Sequence, residues 1–164
     1  MYFSKESLEV SSALIAAAKT GGLRLATAES CTGGLIAGAL TEVPGSSDAF
    51  ERGFVTYSNE AKHELLGVPE ELLGQFGAVS EPVARAMAEG AAEASGADAA
   101  VSATGIAGPD GGTDTKPVGL VHIAAARRGH PTLHHAHIFP GTREEVRAAA
   151  VETALRLLLK IVSE

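Results

Sequence analysis

The chain has 164 residues, 45% of them hydrophobic and 20% charged, with a formal net charge of −7. That size and composition suit one packed domain, and with 4% aromatic residues and no Trp its core must be built from Ala, Val, Leu and Ile. The acidic balance argues against a nucleic-acid-binding surface, the single cysteine, Cys31, excludes an intramolecular disulfide, and no apolar run approaches the roughly 20 residues that span a bilayer.

Met1 to Val10 carries Lys5, Glu6 and Glu9 and lacks the apolar stretch of a secretion signal. The cytoplasm is therefore the expected compartment. Without internal repeats or low-complexity linkers, one domain spanning 1–164 is expected.

A first helix is predicted from about Ser4 to Lys19, with Leu8, Ser11, Leu14, Ile15 and Ala18 on one face and Gly21-Gly22 ending it. Leu23 to Ala28 reads as a short buried strand. A polar turn follows, then a helix from about Gly34 to Thr41, closed by Pro44-Gly45-Ser46-Ser47. Phe50 to Tyr57 is the next strand. Ser58 caps a short helix from Asn59 to Leu66, and Pro69 to Phe76 makes another. Ser80 is expected to cap a longer helix with Pro82 in its first turn, running to about Ser95. Ala97 to Ser102 is a strand, and Thr104 to Thr115 a glycine-rich loop. Val118 to Ala126 and Leu133 to Phe139 form a hairpin around Arg127 to Pro131. Thr142 and Glu145 make a capping box for a last helix ending near Val162. Strands alternating with helices and closing in a hairpin predict an α/β fold: a three-layer α/β/α sandwich with a mixed sheet.

Three polar segments each follow a predicted strand, where open α/β sheets place their ligands. In Thr27-Ala28-Glu29-Ser30-Cys31-Thr32-Gly33-Gly34, the turn can expose a nucleophile beside free backbone N–H groups that hold an oxyanion. A plain helix cap by Ser30 or Thr32 is the alternative. In Thr56-Tyr57-Ser58-Asn59-Glu60-Ala61-Lys62, a helix capped at Ser58 puts Lys62 near a positive dipole end, which together with burial favours the neutral amine. Such an amine can deprotonate a serine. The other reading is a solvent-facing Lys62 paired with Glu60 or Glu64. In Thr104-Gly105-Ile106-Ala107-Gly108-Pro109-Asp110-Gly111-Gly112, backbone amides can converge on an anion, although neither a Walker A pattern nor a dinucleotide fingerprint is present.

His135 and His137 share one face of a strand and His134 takes the other. With no third ligand placed beside them, a solvated cluster is the simpler reading than a metal site. His63 and His122 read as structural or surface residues. Cys31 is the rival nucleophile, but no histidine is placed to activate it.

Taken together, these segments, with Pro44-Gly45-Ser46-Ser47, Gly53-Phe54-Val55, Gly77-Ala78-Val79-Ser80-Glu81-Pro82-Val83 and Lys116-Pro117-Val118-Gly119, resemble the CinA C-terminal domain family. The likeness runs from about Leu8 to Leu159. Single-domain members of that family are nicotinamide-nucleotide amidases. The resemblance implies hydrolysis of nicotinamide mononucleotide to nicotinate mononucleotide and ammonia, by a Ser/Lys mechanism that carries over to Ser30 and Lys62 with Tyr57 in support. Longer relatives carry an additional N-terminal domain linked to nucleotide pyrophosphate cleavage, an activity not inferred for this chain, and some bear a competence-associated name.

On this reading Tyr57 bonds Ser30 or Lys62, and amides around Thr32 to Gly34 hold the oxyanion. The substrate phosphate sits on the turn from Gly105 to Gly112, with Thr104, Gly105, Gly108 and Gly111 in the binding set. Glu29 or Asp110 faces the cationic pyridinium ring. Neither metal nor cofactor is required, the partner is a small nucleotide rather than nucleic acid or membrane, and pairing into a homodimer is the expectation for assembly. The competing classes are a non-catalytic nucleotide-binding module and a metal-dependent hydrolase built on His135 and His137.

Overall fold

The computed structural model describes residues 2–164; Met1, the first residue of the segment tested as a signal, lies outside them. The helices are α1 (Lys5–Gly21), α2 (Leu35–Thr41), α3 (Asn59–Leu66), α4 (Glu70–Phe76), α5 (Glu81–Ser95) and α6 (Arg143–Val162). The strands are β1 (Leu25–Glu29), β2 (Phe50–Val55), β3 (Ala99–Gly105), β4 (Leu120–Arg127) and β5 (Leu133–Ile138). They form one sheet in the order β2-β1-β3-β4-β5. β2, β1 and β3 run parallel, while β4 and β5 continue the sheet antiparallel.

Two faces follow from alternation along the strands. Leu25, Ala99, Val101, Val121 and Ile123 turn toward α1, α2 and α6 and share a core with Leu14, Ile36, Leu155 and Leu158. Ala26, Ala28 and Ala100 face the other way, against Met87, Val83 and Leu66 of α5 and α3. Small residues bring α5 close to the sheet: Ala84 and Ala88 meet Ala124 and Ala126. The expected mixed α/β/α layering is what the chain adopts.

Local signals act where the sequence puts them. Ser58 Oγ accepts from the Ala61 N–H at 3.0 Å, and Thr142 with Glu145 forms the capping box of α6. Expectations shift at strand ends and at one cap. The strand expected over Ala97 to Ser102 runs from Ala99 to Gly105, so Thr104 and Gly105 belong to the sheet rather than to the glycine-rich loop. The first strand extends to Glu29 rather than stopping at Ala28, so the Ser30 turn begins directly at the strand's carboxyl end. Ser80 occupies the cap position of α5, but its hydroxyl donates backward to the Gly77 carbonyl at 2.8 Å, because the tight turn before α5 leaves that carbonyl within reach.

One close approach positions the site. At Gly90 of α5, a Cβ would overlap the Leu66 carbonyl oxygen of α3. Leu66 lies one turn after Lys62, and these two are the buried residues of α3. The bare backbone at Gly90 lets that face settle onto α5.

Candidate active site

The carboxyl ends of β1 and β2 build the site. β1 delivers Glu29 and then Ser30, whose N–H donates to the Ala103 carbonyl of β3 at 2.9 Å. The Thr56 N–H donates to the Glu29 carbonyl, also at 2.9 Å, tying the end of β2 alongside. Gly33 (φ 60°) and Gly34 (φ 103°) then reverse the chain into α2 through left-handed conformations that favour glycine. Ser30 is therefore held by two strands before the helix begins.

Lys62 meets it from α3. Its Nζ lies 2.9 Å from Ser30 Oγ and donates to the Thr56 carbonyl at 2.8 Å. The residue is 1% exposed and Ser30 9%, which excludes the solvent-facing alternative. Among the described residues Lys62 joins no salt bridge. Burial lowers its pKa below the ordinary 10.5, opposed only by the neighbouring Cys31. A carbonyl holding one N–H and a hydroxyl at the other contact leave the amine's lone pair aimed at Ser30 when the proton is gone.

Cys31 is buried, and desolvation pushes its thiol up to about 11, with Glu29 adding to the rise. A thiol so seldom ionised is a poor nucleophile. The proximity of Cys31 to a helix start does not activate it.

Several sequence-predicted roles need correcting. Glu29 does not face a ligand: it is 1% exposed, and its carboxylate accepts from the Ile36 N–H at 2.8 Å and the Ala37 N–H at 3.0 Å. It caps α2 from the strand, where a negative charge suits the helix dipole. Tyr57 bonds neither Ser30 nor Lys62. It is exposed, and its hydroxyl accepts from Arg143 Nη2 at 3.2 Å. Thr32 is fully buried, backbone included, so neither its side chain nor its amide is open to a ligand. The Gly33 N–H is used by the Ser30 carbonyl at 3.1 Å. The Thr32 and Gly34 amides have no backbone acceptor among the described residues, and of the two only Gly34 is partly exposed. Thr104 donates its hydroxyl to the Ala78 carbonyl at 2.9 Å, which turns it away from the loop it introduces. Gly105 closes β3, Gly108 offers its carbonyl to Arg143, and Asp110 and Gly111 lie on the exposed part of the loop.

Two arginines were missed. Arg143 Nη1 donates to the Gly108 carbonyl at 2.7 Å, so this residue bridges the glycine loop and Tyr57. Arg147 donates to the carbonyls of Cys31 and Thr32. A signal existed: Arg143 opens α6, where the dipole disfavours a cation, the same misplacement that singled out Lys62.

The histidines stand apart from this cluster. His122 Nδ1 and His134 Nε2 lie 2.9 Å apart, while His135 and His137 border α6. Among the described residues no helix is long and apolar enough to cross a membrane.

Comparison with known proteins gives the family. The chain is 54% identical over 156 residues to "Nicotinamide-nucleotide amidohydrolase PncC" of Enterobacter agglomerans, covering 93% of this chain and 95% of that protein. It is 51% identical over 153 residues to the protein of the same name from Escherichia coli K12, covering 93% of each. It spans only about a third of the length of other relatives, such as the "CinA-like protein" of Akkermansia muciniphila, 57% identical over 137 residues, which cover 84% of this chain and 33% of that one. The crystal structure of the competence/damage inducible protein CihA from Agrobacterium tumefaciens superposes with a TM-score of 0.95 at 50% identity, covering 99% of this chain and 98% of that one. The CinA C-terminal domain model matches residues 7–162, and the chain belongs to that family.

Proposed function

We propose that the protein is an amidohydrolase that converts nicotinamide mononucleotide to nicotinate mononucleotide and ammonia through a Ser30 acyl-enzyme. The observation that carries this reading is the buried 2.9 Å contact between Ser30 Oγ and Lys62 Nζ, made without an acid to hold the amine charged. The substrate class comes from the similarity to the two amidohydrolases named above.

In the proposed course, neutral Lys62 takes the Ser30 proton as Oγ attacks the carboxamide carbon. The carbonyl π electrons move onto oxygen, and the unpaired Gly34 amide at the end of the turn is assigned to stabilise that charge. The tetrahedral adduct collapses, the C–N bond breaks, and protonated Lys62 gives its proton to the departing nitrogen, which leaves as ammonia. Water then attacks the ester while Lys62 accepts a water proton. Expulsion of Ser30 Oγ, reprotonated by Lys62, releases the nicotinate carboxylate. Arg143 carries the positive charge beside the glycine loop, and it is assigned to the substrate phosphate. The exposed Tyr57 ring offers a face to the pyridinium. A cytoplasmic setting goes with this substrate and with the free thiol of Cys31.

The test is ammonia release from nicotinamide mononucleotide by wild type, Ser30→Ala and Lys62→Ala. Activity in wild type and its loss in both variants, each folded by circular dichroism, is the expected result. Binding of the nucleotide without turnover by wild type would make the protein a binding module instead.

A further inference from the structure

The nucleophile turn is held from outside by a residue distant in sequence. Arg147, in the second turn of α6, directs Nε to the Cys31 carbonyl at 3.1 Å and Nη2 to the Thr32 carbonyl at 3.4 Å. A peptide unit is planar, with its N–H and C=O pointing in opposite directions. Drawing the Cys31 carbonyl toward α6 therefore turns the Thr32 N–H away from α6. Drawing the Thr32 carbonyl the same way turns the Gly33 N–H, which lands on the Ser30 carbonyl. A turn with two left-handed glycines is intrinsically loose, and besides Arg147 only the Gly33 N–H on the Ser30 carbonyl and the Leu35 N–H on the Thr32 carbonyl, each at 3.1 Å, tie it internally among the described residues. The packing is close, since a Cβ at Gly33 would lie 3.3 Å from Arg147 Nη2.

We propose that Arg147 is a positioning residue whose guanidinium clamps the Cys31 and Thr32 carbonyls and so fixes the turn that presents Ser30 and the unpaired, partly exposed Gly34 amide to the substrate carbonyl. The proposal rests on the amidase reading. Arg147 makes no hydrogen bond to Ser30 Oγ or Lys62 Nζ among the described residues, so it acts through the backbone alone. A planar fork with two donors fits two successive carbonyls, whereas an ammonium is a point charge. The rest of Arg147 lines a cavity of about 530 Å³ bordered by the exposed Tyr2, with Leu35 and Val151 along its wall. A small cation can therefore reach the position of the guanidinium once the side chain is removed.

Arg147→Ala and Arg147→Lys are compared with wild type in ammonia release from nicotinamide mononucleotide, with and without millimolar guanidinium. Hydrogen exchange of the segment 28–36 is followed in parallel. The expected kcat falls about 100-fold in both variants, the scale of one lost oxyanion donor, while KM changes less than about threefold. Guanidinium restores part of kcat to Arg147→Ala, methylammonium does not, and the amides of 31–34 exchange faster in both variants. A raised KM with kcat intact would make Arg147 a substrate contact and overturn the proposal. Unchanged kinetics, or a loss with neither guanidinium recovery nor faster exchange, would overturn it as well. Should wild type release no ammonia, the amidase reading fails, and the exchange comparison alone decides whether the clamp exists.

Discussion

Two polar clusters sit on this sheet, one on its parallel half and one on its antiparallel half. Ser30 and Lys62 are buried at the ends of β1 and β2. His122 and His134 lie across β4 and β5, 2.9 Å apart with stacked rings, and Glu81 Oε1 is 3.6 Å from His134 Nδ1. Desolvation lowers the pKa of Lys62 and of both histidines. For the histidines this only deepens the neutral state they already hold at neutral pH, and each supplies the other's hydrogen bond. For Lys62 it drives a normally cationic group toward the form that accepts a proton. A wealth of titratable side chains is thus a poor guide to chemistry; a mismatch between a group's usual charge and its surroundings is a better one.

The contrast breaks most sharply at Lys62. Lys62→Met should cut ammonia release more than about 10³-fold, and wild-type kcat/KM should rise with pH along a limb whose midpoint lies below 10.5. Stability carries the same sign. Between the lowered folded pKa and 10.5, the unfolded chain binds more protons at Lys62 than the native one, so wild-type stability rises with pH there. The difference in melting temperature between Lys62→Met and wild type should therefore move in favour of wild type as pH rises. Denaturation across that range checks it, and a pH-independent difference would contradict it.

Next in size is Glu29→Gln. One carboxylate serves two N–H donors, and an amide turns one acceptor into a donor. A loss of about 3 kcal/mol is expected in urea denaturation. Arg143→Ala should raise KM for nicotinamide mononucleotide about tenfold, equivalent to about 1.4 kcal/mol, while leaving hydrolysis of the phosphate-free nucleoside unchanged. An equal effect on both substrates would remove the phosphate assignment. Cys31→Ala should stay within about threefold of wild-type kcat, since the thiol titrates near 11, and iodoacetamide at pH 8 should label the native protein slowly. Smallest of all, replacing His135 and His137 together by Asn should leave ammonia release unchanged before and after exhaustive chelation.

Much of this is legible in the sequence alone. Ser58 and the Thr142–Glu145 pair announce their helices by local hydrogen bonding, and the hairpin follows from turn residues between two short strand-length runs. The serine and lysine stood out because each follows a strand and the lysine is badly placed for a surface residue. What could not be read are contacts set by the joining of distant segments. Glu29 reaches the N-terminus of α2 only because β1 ends beneath it. Tyr57 turns to Arg143 because α6 begins beside the glycine loop. The His122–His134 pair is diagonal across the ladder, since His122 lies opposite Ala136, and it needs the β4–β5 register to be known.

The bare backbone at Gly90 has a consequence for how activity is tuned. Lys62 rides on a short helix whose separation from α5 is set by a missing methyl group. Side-chain bulk there would push the base outward and lengthen its reach to the serine, with no ligand anywhere near the altered position. On the proposed mechanism, reactivity at one end of the sheet depends on steric clearance between two helices packed on its face.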